Sequence, residues 1–470
     1  MNTFVEAVKQ NFNNAVTENG MPAFSGTYDA CLDLFYSIGA SRGKDILPAF
    51  AKAHAENPVL AFRILLWSRD VRGGAGERAH FRNVLSWATS VATPEMAHMV
   101  ICSLLRTPEI GRWDDVFYVY ENVADGSVFA SVIEEMCRIA LAENDGLWSK
   151  WMPRKGPVAA RLRKALGMSP KTYRKTLVAL TNVVEQKMCA NDWNSIEFGK
   201  VPSVASLRYR KAFARHSPVL YTQYLEGLKK GTEKVNASAV YPYQVVDAVR
   251  NTPELAEAMW AALPNYTNGR NILPVVDVSG SMTGGSPAPL DVSVSLGLYC
   301  AMKNSGPFHG IFCTFSESPV LLSIEGLNLC DVLETVERSS WGMNTNLEAV
   351  FTEILERARL NNVKQEDMPE TILIMSDMQF DQCVQNGNDN AMQMVERMYA
   401  EAGYTVPGVV FWNLRHAGNF PAISSKKGVA MVSGFSPAIL KSILSGTNFT
   451  PQKIMLETVN VERYDPTKIV

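Results

Sequence analysis

Two carboxylates and three hydroxyls in this chain are spaced as ligands for a hard cation. The stretch Val275-Val276-Asp277-Val278-Ser279-Gly280-Ser281-Met282 carries an apolar run into a carboxylate, then two hydroxyls at alternate positions around a glycine. A buried strand ending in such a turn gathers three oxygen ligands at the carboxyl edge of a sheet, where open α/β sheets hold their ligands. Thr345, in the polar stretch Trp341-Gly342-Met343-Asn344-Thr345-Asn346-Leu347, offers a third hydroxyl ahead of a helix. The apolar run Thr371-Ile372-Leu373-Ile374-Met375 leads into Ser376-Asp377, a second carboxylate at a strand end. Parallel strands bring such ends to one edge, so Asp277, Ser279, Ser281, Thr345 and Asp377 are expected to meet on one octahedral ion. All-oxygen donors select Mg²⁺ or Mn²⁺ over a softer metal.

Catalysis is not expected from this set. The Asp-x-Ser pattern lacks the second aspartate of haloacid-dehalogenase-type phosphatases, and no Gly-x-Ser-x-Gly elbow is present. No histidine or lysine is identifiable as an acid–base partner for a single Mg²⁺ among hydroxyls. His54, His80, His98, His216, His309 and His416 show no zinc-ligand spacing and read as structural.

The elements that must position these ligands begin near residue 270. Short apolar runs at 272–278, 309–315, 371–376, 408–412 and 428–432 suit buried parallel strands. Helical periods at 290–303, 347–360 and 391–402 alternate with them, and 319–323 reads as an antiparallel edge strand. The alternation predicts a doubly wound α/β domain over 270–470. Pro274 argues against it, because proline removes a ladder hydrogen bond from the presumed central strand; it is read as marking where regular pairing starts.

Residues 1–265 read as an all-α region. Asn57-Pro58, Thr93-Pro94, Thr107-Pro108, Ser169-Pro170 and Thr252-Pro253 each offer an N-cap oxygen and a proline at N1. Tyr173, Leu177, Leu180, Val184 and Met188 fall on one helical face. The starts are unevenly spaced, so an irregular solenoid is allowed without a fixed repeat.

Two stretches of this region are candidates for more than packing. Arg69-Asp70-Val71-Arg72-Gly73-Gly74-Ala75-Gly76-Glu77-Arg78 reads either as backbone N–H groups and guanidinium forks open to a phosphate, or as a helix–helix turn with arginines paired to Asp70 and Glu77. It is not a Walker loop, since no Lys-Ser/Thr follows the glycines. Residues 150–175 hold Lys150, Arg154, Lys155, Arg161, Arg163, Lys164, Lys171, Arg174 and Lys175 with no acidic residue, interleaved with Trp151 and Tyr173. Such a run binds nucleic-acid phosphates with aromatics available for stacking, or it is a solvated helix face over core aromatics.

The bulk numbers set bounds. With 470 residues, two or three domains are expected. A formal net charge of −2 gives no global pull on nucleic acid, so any basic surface must be local. No stretch is long and apolar enough to span a bilayer, and Met1 to Glu6 lack the features of a secretory signal. Eight scattered cysteines without a CxxC pair read as reduced thiols of a cytoplasmic protein.

On the ligand pattern, the sequence resembles the von Willebrand factor A domain and its metal-ion-dependent adhesion site. That family's Asp-x-Ser-x-Ser, then Thr, then Asp is met in order by Asp277, Ser279, Ser281, Thr345 and Asp377. The resemblance implies serines and threonine binding the ion directly or through water, aspartates often acting through water, and an open position that accepts a partner's acidic group. The whole chain resembles the Ro autoantigen family, which joins a ring of HEAT-like repeats, the TROVE module, to such a domain and binds RNA. It resembles more closely the Ro-like proteins of viruses and eukaryotes, through the Arg69–Arg78 stretch, Val184-Glu185-Gln186-Lys187-Met188 and Lys200-Val201-Pro202-Ser203. No RNA contact of that family carries over residue by residue. The resemblance implies a non-enzymatic, cytoplasmic, viral-type RNA-binding scaffold with a Mg²⁺-dependent partner site. The alternative is a metal-dependent protein–protein interaction module without RNA.

Overall fold

The structure, a computed structural model, describes residues 13–237, 239–267, 270–315, 318–338, 345–443 and 450–469. The polar stretch 341–344 before Thr345 and the first residues of the chain lie outside it. Contacts divide the chain into two units, one of 1–44 with 240–459 and one of 45–239 with 460–470. This division departs from the expected boundary near 265–270.

The α/β unit is built on β1 (Asn14–Val16), β2 (Pro22–Phe24), β3 (Ile272–Asp277), β4 (Ile311–Phe315), β5 (Val320–Ser323), β6 (Thr371–Ser376), β7 (Gly408–Asn413) and β8 (Val429–Ser433). The last six form one sheet in the order β5-β4-β3-β6-β7-β8, parallel except for β5, which pairs antiparallel with β4. Every residue of β3 and β6 is buried, which is why both read as unbroken apolar runs rather than alternating ones. The helices Pro289–Lys303, Leu347–Leu360 and Ala391–Ala402 connect the strands. Pro274 does lie in β3, but β3 pairs with β6 from Ile272 to Val276 and with β4 only from Val275 to Asp277. The proline therefore precedes the β4 ladder.

Residues 13–44 join this unit through backbone and side-chain bonds that sequence distance hides. The β1–β2 hairpin bonds at Phe24 to Phe420 in both directions, 2.9 Å each. Beyond the helix Ala30–Ile38, the Gly39 N–H donates to Ser433 Oγ at the end of β8, which itself donates to Phe35 O.

The second unit is helical, and none of its described residues lies in a strand. Asn57, Thr93 and Ser169 cap their helices through Leu60, Met96 and Thr172 N–H groups as expected. Thr252, in the α/β unit, precedes the helix Pro253–Ala262 without a side-chain cap bond. Thr107-Pro108 is not a start. Both lie inside Pro94–Ile110, with the buried Thr107 hydroxyl donating back to Ser103 O. The five-residue apolar face is likewise interrupted, because Thr181 turns to extended backbone and separates Pro170–Leu180 from Val184–Cys189.

The Arg69–Arg78 stretch resolves as a structural hub. Arg69, 1% exposed, is held by Asp115 at 2.8 and 2.7 Å, and Asp115 also takes Arg82 and the Arg112 N–H. Asp70 accepts two bonds from Arg463 and one from the Tyr464 hydroxyl, tying residues 460–469 to the helices. The arginine partners thus differ from the Asp70 and Glu77 pairing considered from the sequence. Gly74 is required by approach rather than by φ: a Cβ there would lie 1.8 Å from Trp67 O, whereas Gly76 takes φ +69°.

Removing Asp115 strands buried guanidinium charge. Asp115→Ala is expected to cost the helical unit about 3–5 kcal/mol, read as a lowered urea midpoint by circular dichroism; an unshifted midpoint would deny the hub its role.

Candidate metal centre

β3 and β6 are parallel neighbours, and Val276 lies opposite Met375, so their carboxyl ends finish side by side. Asp277 closes β3, and Asp377 follows Ser376 at the end of β6. The Ser376 hydroxyl donates to Asp277 Oδ2, and the Ser279 N–H donates to Oδ1 at 2.9 Å. A single 3₁₀ turn, Gly280–Met282, then folds the chain so that the Ser279 and Ser281 hydroxyls stand 3.1 Å apart. The Ser281 side chain lies close enough to Asp377 to favour its charged form, and Asp377 Oδ1 accepts the Gln379 N–H at 3.1 Å. Asp277, Ser279, Ser281 and Asp377 are thereby one cluster.

Thr345 is buried and linked to this cluster through Gln379. Its hydroxyl lies 2.6 Å from Gln379 O and 3.0 Å from Asp381 Oδ1, while Asn19 Nδ2 donates to it at 2.7 Å. A hydroxyl carries one proton and two lone pairs. The two acceptors compete for the proton and Asn19 takes one lone pair, which leaves one lone pair for a further partner.

Asn19 belongs to the turn between β1 and β2, which no sequence signal connected with the site. Thr17 Oγ1 donates to Phe380 O at 2.6 Å, the Glu18 N–H to Gln379 Oε1 at 2.6 Å, and Asn19 Nδ2 to Gln379 O at 2.8 Å. The turn thus braces the loop after Asp377. Arg415, also missed, donates from Nη1 to Ser281 O at 2.6 Å. Ser376, adjacent to Asp377, was in plain view as a hydroxyl at a strand end.

The electrostatics are those of a buried acidic pair without an ion-pair partner among the described residues. Burial and then the charge of Asp377 push the Asp277 carboxyl up to about 7, against hydrogen bonds from Ser279 and Ser376. Asp377 is also raised by burial, opposed by Ser281, the Gln379 N–H and the positive charge of Arg415. No lysine or arginine forms an ion pair with Asp277 among the described residues. Two buried carboxylates ringed by hydroxyls, with neither sulfur nor imidazole in the set, fit a hard divalent cation.

The nine basic residues of 150–175 do not act alike. Lys150 pairs with Glu185 at 3.3 Å, and Arg154 donates to Ser149 O and Thr181 Oγ1. Arg161 satisfies the carbonyls of Tyr120, Val123 and Ala124, pairs with Asp125 and lies over the Tyr120 ring. Arg163 donates to Met168 O at 3.2 Å. Lys155, Lys164, Lys171, Arg174 and Lys175 are exposed and pair with no carboxylate among the described residues. Trp151 is half-buried with Arg112 and Lys150 over its ring, and Tyr173 is buried with its hydroxyl on Pro153 O, so Tyr173 presents no open stacking face.

All eight cysteines are free thiols, six of them buried. No helix among the described residues is long and apolar enough to cross a membrane.

In chelator-treated protein the raised Asp277 pKa predicts a sign. Its ionisation is opposed only in the folded state, so stability falls as pH rises from 3.8, the ordinary aspartate value, to about 7. Thermal melts across that range are expected to show the slope in wild type and a flatter one in Asp277→Asn; equal slopes would assign it to other groups.

Residues 17–107 and 132–271 match the family described as "Domain of unknown function (DUF2828)", and residues 271–469 match "Domain of unknown function (DUF7788)". Among solved structures, the crystal structure of Deinococcus radiodurans RO (RSR) protein aligns with 93% of this chain and 100% of that one, at 12% identity and a TM-score of 0.46. The chain is 29% identical to "Uncharacterized protein L728" of Acanthamoeba polyphaga mimivirus, over 97% of its own length and 89% of the relative's.

Proposed function

We propose that this protein is a non-enzymatic scaffold resembling Ro: a von Willebrand factor A-type domain that takes an acidic group of a protein partner at a Mg²⁺ or Mn²⁺ centre, and a HEAT-like, TROVE-like helical region that binds RNA. The observation that carries the metal reading is the meeting of Asp277, Ser279, Ser281 and Asp377 at neighbouring parallel strand ends, with two buried carboxylates and no arginine or lysine ion-paired with Asp277 among the described residues. Asp277 and Asp377 would hold the cation with the serine hydroxyls, and Thr345 has one lone pair left to join them. Neutral hydroxyls supply the rest of the donors, so the cation would keep a position open to a carboxylate from a partner. Ser376, Gln379 and the β1–β2 turn keep the donors oriented before that partner arrives.

The non-enzymatic reading rests on what surrounds the donors. His416 lies beyond β7, where burial and then the charge of Lys44 lower its pKa to about 4, and its Nδ1 faces Asn413 Nδ2 at 3.3 Å. It is held in place rather than poised over the donors. Free thiols and the lack of a membrane-crossing helix among the described residues suit the cytoplasm, and the mimivirus relative suits a viral-type protein.

The RNA part of the reading rests on five exposed basic residues: Lys155, Lys164, Lys171, Arg174 and Lys175. A protein–protein module without RNA is favoured instead by the internal use of Lys150, Arg154, Arg161 and Arg163.

Two measurements test the halves separately. Mn²⁺ titration followed by electron paramagnetic resonance is expected to show one bound ion in wild type and at least about tenfold weaker binding in Asp277→Ala and Asp377→Ala; equal affinity in all three would remove the metal. Gel shifts with single-stranded RNA at low salt are expected to fade steeply with salt, and to be lost when the five exposed residues become Glu. Unchanged shifts in that variant would favour the module without RNA.

A further inference from the structure

Arg415 stands at the rim of the metal centre without a role in holding the cation. It follows β7, the neighbour of β6, and its backbone is fixed on both sides: the Leu414 N–H donates to Ser376 O at 3.0 Å and the Arg415 N–H to Asn413 Oδ1 at 3.1 Å. The exposed side chain reaches the β3 turn, where Nη1 donates to Ser281 O. That bond takes one of five guanidinium N–H groups; no other hydrogen bond or ion pair holds the side chain among the described residues, and its charge reaches Asp377.

We propose that Arg415 is a second contact for the acidic group taken at the metal centre, gripping the carboxylate of the incoming ligand while the cation binds it. This rests on the metal reading above. Two aspartates and a divalent cation sum to zero, so the rim takes its charge from the groups around it: Asp381 lies beside Thr345, and Arg415 is the positive group beside Ser281. Glu18, exposed on the β1–β2 turn and close enough to act on Asp377, supplies the opposite charge. A carboxylate is therefore drawn toward Arg415 and away from Glu18. A guanidinium already anchored at one N–H loses little freedom on binding, and its planar fork matches a carboxylate.

A role in pinning Ser281 and a role in gripping the ligand give opposite signs. Acetate is the probe, added to Mn²⁺-loaded protein and followed by water-proton relaxation, with Mn²⁺ affinity measured separately by electron paramagnetic resonance. Arg415→Gln is expected to tighten Mn²⁺ a few-fold, by removing a like charge, and to weaken acetate about tenfold. Arg415→Lys is expected to recover part of the acetate affinity. Parallel loss of Mn²⁺ and acetate affinity in Arg415→Gln would make the residue a brace for Ser281 and overturn the proposal, as would unchanged acetate affinity. Wild type that binds Mn²⁺ but not acetate would overturn the Arg415 role alone. Wild type that binds no Mn²⁺ would remove the metal reading and this inference with it.

Discussion

Asp277 and Asp377 are buried at the ends of two strands that lie side by side in the middle of a six-stranded sheet. Taking one carboxylate out of water is costly, and a second beside it adds repulsion. Much of the local structure answers that cost with dipoles: the Ser279 and Gln379 N–H groups and the Ser376 and Ser281 side chains. The β1–β2 turn holds the loop that carries Gln379.

The helical unit buries acids too and treats them differently. Asp115 is clamped by Arg69 and Arg82, and Asp70 by Arg463 and Tyr464. These pairs are complete, with planar guanidinium groups fitted to carboxylates. They join segments far apart in sequence, the last residues of the chain among them. Arginine therefore closes an acidic site where the need is structural. At the strand ends hydroxyls surround the acids, and Arg415, whose charge reaches Asp377, remains exposed.

The same division explains the basic run of 150–175. A charge count treats its nine members alike. In the folded unit, Arg161 spends its donors on the last carbonyls of the helix Trp113–Asn122 and the turn after it, and Arg154 secures Thr181 where the helix Pro170–Leu180 ends. Only side chains without such duties are available to a phosphate, and they are fewer than the run suggests.

By itself the sequence determined the α/β character, the strands of the six-stranded sheet with its antiparallel β5, and the helices at 290–303, 347–360 and 391–402, because burial on both faces writes apolar runs; it did not mark the helices Leu329–Arg338 and Pro451–Val459. It also determined three of the helix caps, where an N-cap oxygen and a proline act within one turn. Local rules failed at two places: Thr107-Pro108 continues a helix, with the Thr107 hydroxyl turned back to Ser103 O, and Thr181, held by Ser149 and Arg154, breaks an apolar stripe. Tertiary structure alone decided that residues 13–44 complete the sheet unit, that residues 460–469 return to the helices, and that Asn19 and Arg415 stand at the donor cluster. Those bonds join residues more than a hundred positions apart in the chain. Periodicity and spacing carry no trace of such partners, because the geometry that selects them exists only once the strands have paired.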